Sequence, residues 1–466
     1  MSGKYEMTVG IECHVQLATR TKLFSAVDND AREKEPNACV SPVDYALPGM
    51  LPLLNARAVE LAVRAGYALG AKINQRSHFD RKHYFYPDLP KGYQTSQFYK
   101  PIIGEGKVVL ANGHEVRVEH AHLEEDAGKL THFGDYSLVD LNRAGTPLLE
   151  IVSMPDIHSA EDARLYAEEL WRLMTYAGVS YGDLYHGNMR FDVNISVAPV
   201  GAKKLGTRVE IKNLNSFRSV ERAAAYEFGR QTELIEAGRG GEIRQETRGW
   251  SDATGKTTAQ RSKEQAQDYR YMPDPDVPPL NLAEEYIAGV LAEMPKLPED
   301  YRAAFREAGV PSEIVELILD RQSYAELLMA VLEESDAATG KIVANWLASV
   351  VMDEAPTAEQ LLELAKMVQG SEVSQTAAKE LLVNFSDGKT ARELAKEMNL
   401  LQENDDAALE KIIDGVMASP AAAAAVADVR AGEMKAVGFL IGLIMKESGG
   451  KANPARAREL LLKKLG

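Results

Sequence analysis

Several short segments in the first half of the chain alternate apolar and polar residues with period two, the pattern of a half-buried strand. In residues 9–17, Ile11, Cys13, Val15 and Leu17 fall on one face, and Glu12, His14 and Gln16 on the other. In residues 190–197, Phe191, Val193, Ile195 and Val197 alternate with Arg190, Asp192, Asn194 and Ser196. Val209 and Ile211 alternate with Arg208, Glu210 and Lys212, and Val139 and Leu141 with Asp140 and Asn142. Between these segments the period changes to that of helices. The spacing predicts one over 55–69 that ends at Gly70. A second follows Ser159, with Glu161 and Asp162 in its first turn. A third covers 219–237 and ends at Gly238.

The run PDPDVPPL over 273–280 removes backbone donors and holds the chain extended, and Pro295 and Pro298 mark a further break. Beyond it nearly everything reads as helix: 299–308, 311–320, 323–334, 340–351, 358–368, 373–385 and 390–398, with stops at Gly309, Gly340, Gly370 and Gly388. Residues 399–406 suit a hinge into a last helical module. There Ser419-Pro420 and Asn453-Pro454 are expected cap and first-turn pairs. Gly438 and Gly442, four apart on an apolar helix, are expected to pack in its core. The expected fold is an α+β amino-terminal domain over 1–294, with a mixed or antiparallel sheet and flanking helices. An all-α helical domain follows over 295–404, then a small α-helical tail domain over 405–466.

Length and composition exclude several classes. With 466 residues, 45% hydrophobic and 26% charged, the chain is an ordinary globular protein large enough for two or more domains. Two cysteines, Cys13 and Cys39, cannot build a disulfide framework or a Cys-rich metal site. No apolar leader opens the sequence, and the strongest apolar run, 437–445, is too short to span a bilayer. A cytoplasmic protein without a membrane partner is expected. The formal charge of −16 argues against general nucleic-acid adhesion. The tail differs: residues 401–466 hold nine acidic and nine basic residues, with Lys446, Lys451, Arg456, Arg458, Lys463 and Lys464 gathered at the end.

The polar faces of the alternating segments carry Glu, His, Asp, Asn, Arg and Lys rather than the Thr, Lys and Glu usual on a solvated strand. These are the ligands and phosphate-pairing groups of a metal–nucleotide site. The stretch His120-Ala121-His122-Leu123-Glu124-Glu125-Asp126 adds two imidazoles and three acids. It reads as a polar loop, a helix start or part of that site, and the acids favour a harder ion than zinc. Residues 81–93, RKHYFYPDLPKGY, form a basic aromatic loop suited to a phosphate, a base or an RNA end. Gly255-Lys256-Thr257 is not a phosphate-binding loop of the GxxxxGK[ST] type, since five residues rather than four lie between Gly249 and Gly255 and no apolar strand leads in. Cys13 and His14 cannot act as a pair, because neighbours on a strand point to opposite faces.

The stretches VGIECHVQL, ALPGMLPLLN, RKHYFYPDLPKGYQTSQF, HLEEDAGKL, LNRAGTPLLEIV, GNMRFDVNISV, RVEIKNLNSF, TTAQRSKEQAQDYRYMPDPDVPPL and KAVGFLIGLIMKESGGKANP run in order from residue 9 to 454. With them the chain resembles the B subunits of the glutamine-dependent aspartyl/glutamyl-tRNA amidotransferases. The resemblance implies a catalytic cradle of kinase-like amidotransferase type, then a helical domain and a tail that hold tRNA. It implies use of ATP and Mg²⁺ to phosphorylate the side-chain carboxylate of Glu on tRNA(Gln) or Asp on tRNA(Asn). Ammonia from the glutaminase (A) subunit then gives the amide, in a complex completed by the C subunit. Carried onto this sequence, the metal candidates are Glu12, His14, Glu124, Glu125, Asp192, Asn194 and Glu210, and the catalytic set is Glu12, His14, Glu125 and Asp192. Lys82, Tyr86, Lys91, Arg190, Arg208 and Lys212 are the ATP and phosphate candidates.

Many members of that family carry paired cysteines for a structural zinc between the first strand and the LPG motif. Here those places read Phe24-Ser25-Ala26-Val27 and Ser41-Pro42-Val43-Asp44, so no zinc is expected. Met272 stands where an aromatic residue is usual, and little follows from it. Two other classes fit the residues: a non-catalytic RNA-binding scaffold and a stand-alone metal phosphohydrolase.

Overall fold

The computed structural model describes residues 3–260, 268–352, 354–385, 388–402, 406–449 and 452–465. The expected junction at 404/405, residues 261–267 of the TTAQRSKEQAQDYRYMPDP stretch, and Lys451 lie outside the described residues. The chain divides into two compact units, Met1–Pro298 and Glu299–Gly466.

The first unit is built on an eight-stranded sheet. Its order is Lys256–Ala259, Glu246–Ser251, Val209–Leu214, Met189–Pro199, Tyr5–Gln16, Pro147–Ser153, Glu115–Glu125 and Gly106–Val109. All neighbours are antiparallel except Val209–Leu214 and Glu246–Ser251, which run parallel. A parallel pair needs a crossover, and the helix Phe217–Glu236 supplies it. This sheet is the mixed one expected, and the helices flank it.

One sheet face is closed. Ile11, Cys13, Val15, Ile151, Phe191, Val193 and Ile211 are buried against side chains from the helices Ala56–Ala68, Ala160–Tyr176 and Phe217–Glu236. Burial of that face at about 25 cal/mol per Å² of apolar surface fixes strand register, because a slip of one residue would invert every side chain. The helices start where their caps dictate: Asn55, Ser159 and Ser216 each accept a backbone N–H of the first turn. The third therefore begins two residues before the expected Ser219. Gly70, at φ +56°, ends the first.

Four sequence expectations change. The stretch around His120 is neither loop nor helix start but the end of the eleven-residue strand Glu115–Glu125. Residues 139–142 do not join the main sheet. Among the described residues Tyr136–Asp140 pairs only with Lys129–Phe133, and Asp140 and Asn142 take backbone N–H groups of Asn37 and Cys39. The basic aromatic segment is a hairpin, Asp80–His83 with Tyr93–Ser96, rather than one long loop. Gly255 closes a turn between two antiparallel strands, and Lys256-Thr257 opens the second strand, Lys256–Ala259, where the rejected phosphate loop would have required a helix. The proline-rich run is not extended throughout: it turns at Pro275-Asp276, where the Asp276 N–H donates to Asp274 Oδ1, before Leu280–Asn281 pairs with Arg76–Ser77.

The second unit is helical throughout the described residues. Gly340 is not a stop: it lies in the helix Ala337–Ser349, where a Cβ would come within 2.3 Å of Leu332 Cδ2. Asn453 caps the last helix, Pro454–Leu465, through its Oδ1. Ser419-Pro420 instead forms a turn, and the helix begins at Ala423. Leu409, Ile413, Leu440, Ile444 and Leu461 form a core of their own in the tail. Gly438 and Gly442 are not in it. They face solvent, and a Cβ at either would meet nothing within 4 Å.

Candidate active site

The open face of the main sheet collects the polar positions of the alternating strands. Glu12 stands opposite Asp192, His14 opposite Arg190, and Gly10 opposite Asn194. On the other side of the same strand His14 is opposite Glu150, and Glu150 is in turn opposite His122. Asn194 is paired with Glu210. Directly opposite side chains on one face are neighbours, so the register alone makes the cluster.

Two groups on this face have donor atoms close enough to share one ion: His14, Glu124 and Glu150, and Glu12, Asp192 and Glu210, each with its atoms within 4.8 Å of one another. His14 Nε2 lies 3.6 Å from Glu150 Oε2 and 3.9 Å from Glu124 Oε1, and His122 Nε2 repeats both distances from the other side. In the second group Lys212 Nζ sits 2.8 Å from Asp192 Oδ2 and 3.0 Å from Glu210 Oε1. Asn194 donates to Glu12 Oε1 at 3.0 Å, and Thr247 to Glu210 Oε2 at 2.7 Å. A cavity of about 470 Å³ opens on the first group. His14, Lys82, Tyr84, Glu124, Glu150, Arg190, Asp192 and Lys212 are among its lining residues.

The charges are mutually tuned. Burial raises the pKa of Glu12, and the like charges of Glu150, Glu210 and Asp192 raise it further. Burial also works against the charge of Glu124, but His122, Lys82 and His14 outweigh it and hold the carboxyl well below its ordinary value. Lys82 and Lys212 are likewise desolvated, yet both are pushed up, by Glu124 and Tyr271 and by Asp192 and Glu210 respectively. Asp126 raises Arg190, whose Nη2 it holds at 2.7 Å. Desolvation lowers His120, and the charge of His122 adds to that.

Of the residues singled out in the sequence, the face brings together Glu12, His14, Glu124, Asp192, Asn194, Glu210, Lys212, Arg190 and Lys82. Glu125 points the other way, to Lys91 Nζ and to the Thr95 N–H at 2.8 Å. Lys91 is thus engaged there and does not line this cavity. Tyr86 is half exposed in the hairpin loop and Arg208 borders a neighbouring cavity. Sequence reasoning passed over Glu150 and did not place His122. The signal for Glu150 was present: a lone acid within the apolar strand Pro147–Ser153.

The residues fit a divalent cation better than a soft one. The donors are carboxylate oxygens and imidazoles, and no thiolate faces them: Cys13 is buried on the closed face with its pKa pushed up by desolvation, and Cys39 is buried elsewhere. His122 Nδ1 is buried with no hydrogen-bond partner among the described residues. In the region where many members of the family carry paired cysteines, Lys22 Nζ meets Asp44 Oδ2 at 3.1 Å with Lys22 wholly buried, and Asp44 also accepts the Ser41 N–H.

An antiparallel-rich sheet thus has one face closed by helices and the other lined by acids and cations, groups of the kind that meet anions and hard cations. Residues 7–288 match the model of the GatB/GatE catalytic domain, and residues 326–465 that of the GatB domain. The chain is 44% identical to the aspartyl/glutamyl-tRNA(Asn/Gln) amidotransferase B subunit of Burkholderia pseudomallei, over 99% of this chain and 100% of the relative. It is 42% identical to the chloroplastic/mitochondrial glutamyl-tRNA(Gln) amidotransferase B subunit of Ostreococcus lucimarinus, over 99% and 97%. The chain belongs to the GatB family.

Proposed function

We propose that this chain is the B subunit of a tRNA-dependent amidotransferase. It uses ATP to phosphorylate the side-chain carboxylate of Glu on tRNA(Gln), Asp on tRNA(Asn), or both. A carboxylate does not react with ammonia near neutral pH because oxide would have to leave. Transfer of the γ-phosphoryl group gives an acyl phosphate and ADP, and ammonia then displaces inorganic phosphate and leaves the amide. The net reaction is that of a carbon–nitrogen ligase with glutamine as amide donor. The glutaminase (A) subunit would release the ammonia and the C subunit would complete the assembly.

The observation that carries the reading is the pair of metal-capable groups side by side on one sheet face, flanked by Lys82, Arg190 and Lys212. Glu12, Asp192 and Glu210, or His14, Glu124 and Glu150, would hold Mg²⁺, with Asn194 orienting Glu12. When bound, the ion neutralises phosphate charge and aligns phosphate oxygens. The protein's own part is positioning and charge screening, which phosphoryl transfer needs more than a nucleophile. Lys212 and Arg190 would meet phosphate oxygens, and Lys82 would screen the incoming carboxylate from the triphosphate.

The helical unit would bind the tRNA, with the tail as one contact. The Lys22–Asp44 pair supports a fold that needs no zinc. The test is transamidation by the complex assembled with the A and C subunits, using Glu-tRNA(Gln) and Asp-tRNA(Asn). ATP cleavage should depend on the misacylated tRNA and disappear in Glu124→Gln while tRNA binding persists. Full activity in that variant would leave only a tRNA-binding scaffold.

A further inference from the structure

We propose that a cavity of about 700 Å³ beyond the strand ends of the first unit holds the unpaired 3′ strand of the misacylated tRNA, with Arg20 on its phosphodiesters and Tyr181 against a base. This rests on the reading of the chain as a tRNA-dependent amidotransferase subunit. It adds the path by which the acceptor strand reaches the catalytic cavity.

The cavity continues the catalytic one. His14, Leu148 and Arg190 line the catalytic cavity, and Gln16, Thr146 and Asn188, each two residues further out, line this one. A step of two keeps the same face and covers about 6.6–6.8 Å. The outer positions stay together: Asn188 Nδ2 donates to Gln16 Oε1 at 3.0 Å. Asp126 is the shared wall, holding Arg190 of the one cavity at 2.7 Å and Arg143 of the other at 3.3 Å. A strand laid in the outer cavity therefore delivers its terminal group to the inner one.

Its charge runs against that of the chain. Arg20, Arg32, Arg57 and Arg143 line it against the acids Asp28 and Asp30, in a protein of formal charge −16. Three of the arginines are engaged: Arg32 with Asp30, Arg57 with Glu60, and Arg143 with Asp126 and the carbonyls of Ala127 and Gly128. Arg20 is exposed and has no acidic partner among the described residues, so its guanidinium is open to a phosphate oxygen. Tyr181 lines the same cavity and is 69% exposed. A ring open to solvent beside arginines is a stacking surface for an unpaired base.

Asn29 favours RNA over a protein partner. It lines the cavity at 5% exposure, and its Nδ2 donates to the carbonyls of Leu17 and Thr19 and to Thr19 Oγ1. Its Oδ1 accepts no hydrogen bond among the described residues. A buried acceptor is costly until a donor comes to it. An RNA strand carries such a donor beside its phosphates, the 2′-hydroxyl. The core of a protein interface would instead need exposed apolar surface. Here the apolar members are the buried Leu17 and the half-buried Ala18 and Ala31.

The experiment follows misacylated tRNA and ATP separately in the complex assembled with the A and C subunits. In Arg20→Glu the KM for misacylated tRNA should rise about tenfold or more, with the KM for ATP as in wild type and the three subunits still eluting together. In Arg20→Ala the slope of log KM for tRNA against log salt should fall by about 0.7, the share of one single-strand phosphate contact. Tyr181→Ala, at an exposed position, should raise the same KM about fivefold or more and guards against a purely electrostatic effect. Binding of tRNA that lacks its unpaired 3′ nucleotides should be equal in wild type and variants. An unchanged KM and slope, or an equal loss with the shortened tRNA, overturns the site. Release of the A or C subunit by Arg20→Glu makes the cavity a protein interface and overturns it too. Failure of the site with wild-type turnover intact leaves the functional reading standing, whereas wild-type complex that cleaves no ATP with misacylated tRNA overturns both.

Discussion

Glu124 and Glu125 are neighbours in the chain and point to opposite faces of one strand. Glu124 faces His14 and His122 across 3.9 Å, whereas Glu125 accepts from Lys91 and from the Thr95 backbone. Their carboxylates therefore have different work. Glu124→Gln should lower transamidation by about 10²–10³-fold, the scale of losing one charge-organising group from an active site. ATP cleavage that depends on the misacylated tRNA should fall with it. Glu125→Gln removes the partner of a partly buried lysine, so its loss should include lower thermal stability. Melting curves and initial rates of both variants separate the two roles.

Glu12 links function to pH. Its folded pKa lies above its unfolded one because of burial and the charges of Glu150, Glu210 and Asp192. The protonated group thus contributes stability that is present below the unfolded value, near 4.5, and lost as pH rises through the folded value. At neutral pH the ionised carboxylate strains the metal-free fold. Glu12→Gln should raise the Tm of metal-free protein by roughly 2 °C, about 1 kcal/mol in a domain of this size. It should also reduce the rise in Tm that Mg²⁺ gives the wild type. A lower Tm without metal would contradict the electrostatic account.

Lys22 and Asp44 form a pair with almost no solvent contact. Removing one member leaves a buried charge uncompensated, which costs about 3–5 kcal/mol. Lys22→Met should lose that much stability in denaturant titration, and adding Asp44→Leu should recover most of it. Treatment of the wild type with a zinc chelator should leave the titration unchanged.

The tail's cations divide into two sets. Arg456 holds Asp406 through Nε at 2.7 Å, and Lys464 holds Asp414 at 2.7 Å. Arg458 and Lys463 are exposed and outside those pairs. Changing both of the latter to Glu should weaken tRNA binding and lower the slope of log K against log salt by about one or two. Arg456→Ala and Lys464→Ala should change that slope less and destabilise the tail helices more. Filter binding of tRNA across a salt series distinguishes the sets.

Much of this site was legible in the alternation of the strands. Glu12, His14, Arg190, Asp192, Asn194, Glu210 and Lys212 were each placed on a polar face by parity alone, and the sheet puts those faces together. The fourth alternating segment failed as a guide because parity says which residues share a face, not which strands are neighbours. Asp140 and Asn142 have the same pattern and serve a loop instead. Glu150 was missed because one acid among five apolar neighbours reads as a boundary residue until its strand is seated between two others.

The sequence by itself determined most of the elements, helix caps such as Ser159 and Asn453, and which side of the site strands carries the polar groups, since these depend on period and on local hydrogen bonds. It also carried the family. Only the tertiary structure decided that Glu124 rather than Glu125 faces the cavity, that Glu150 and His122 close the ring around His14, and that Gly438 and Gly442 look outward. Those outcomes depend on strand order and register, which are set by burial of the opposite face through contacts between residues far apart in the chain.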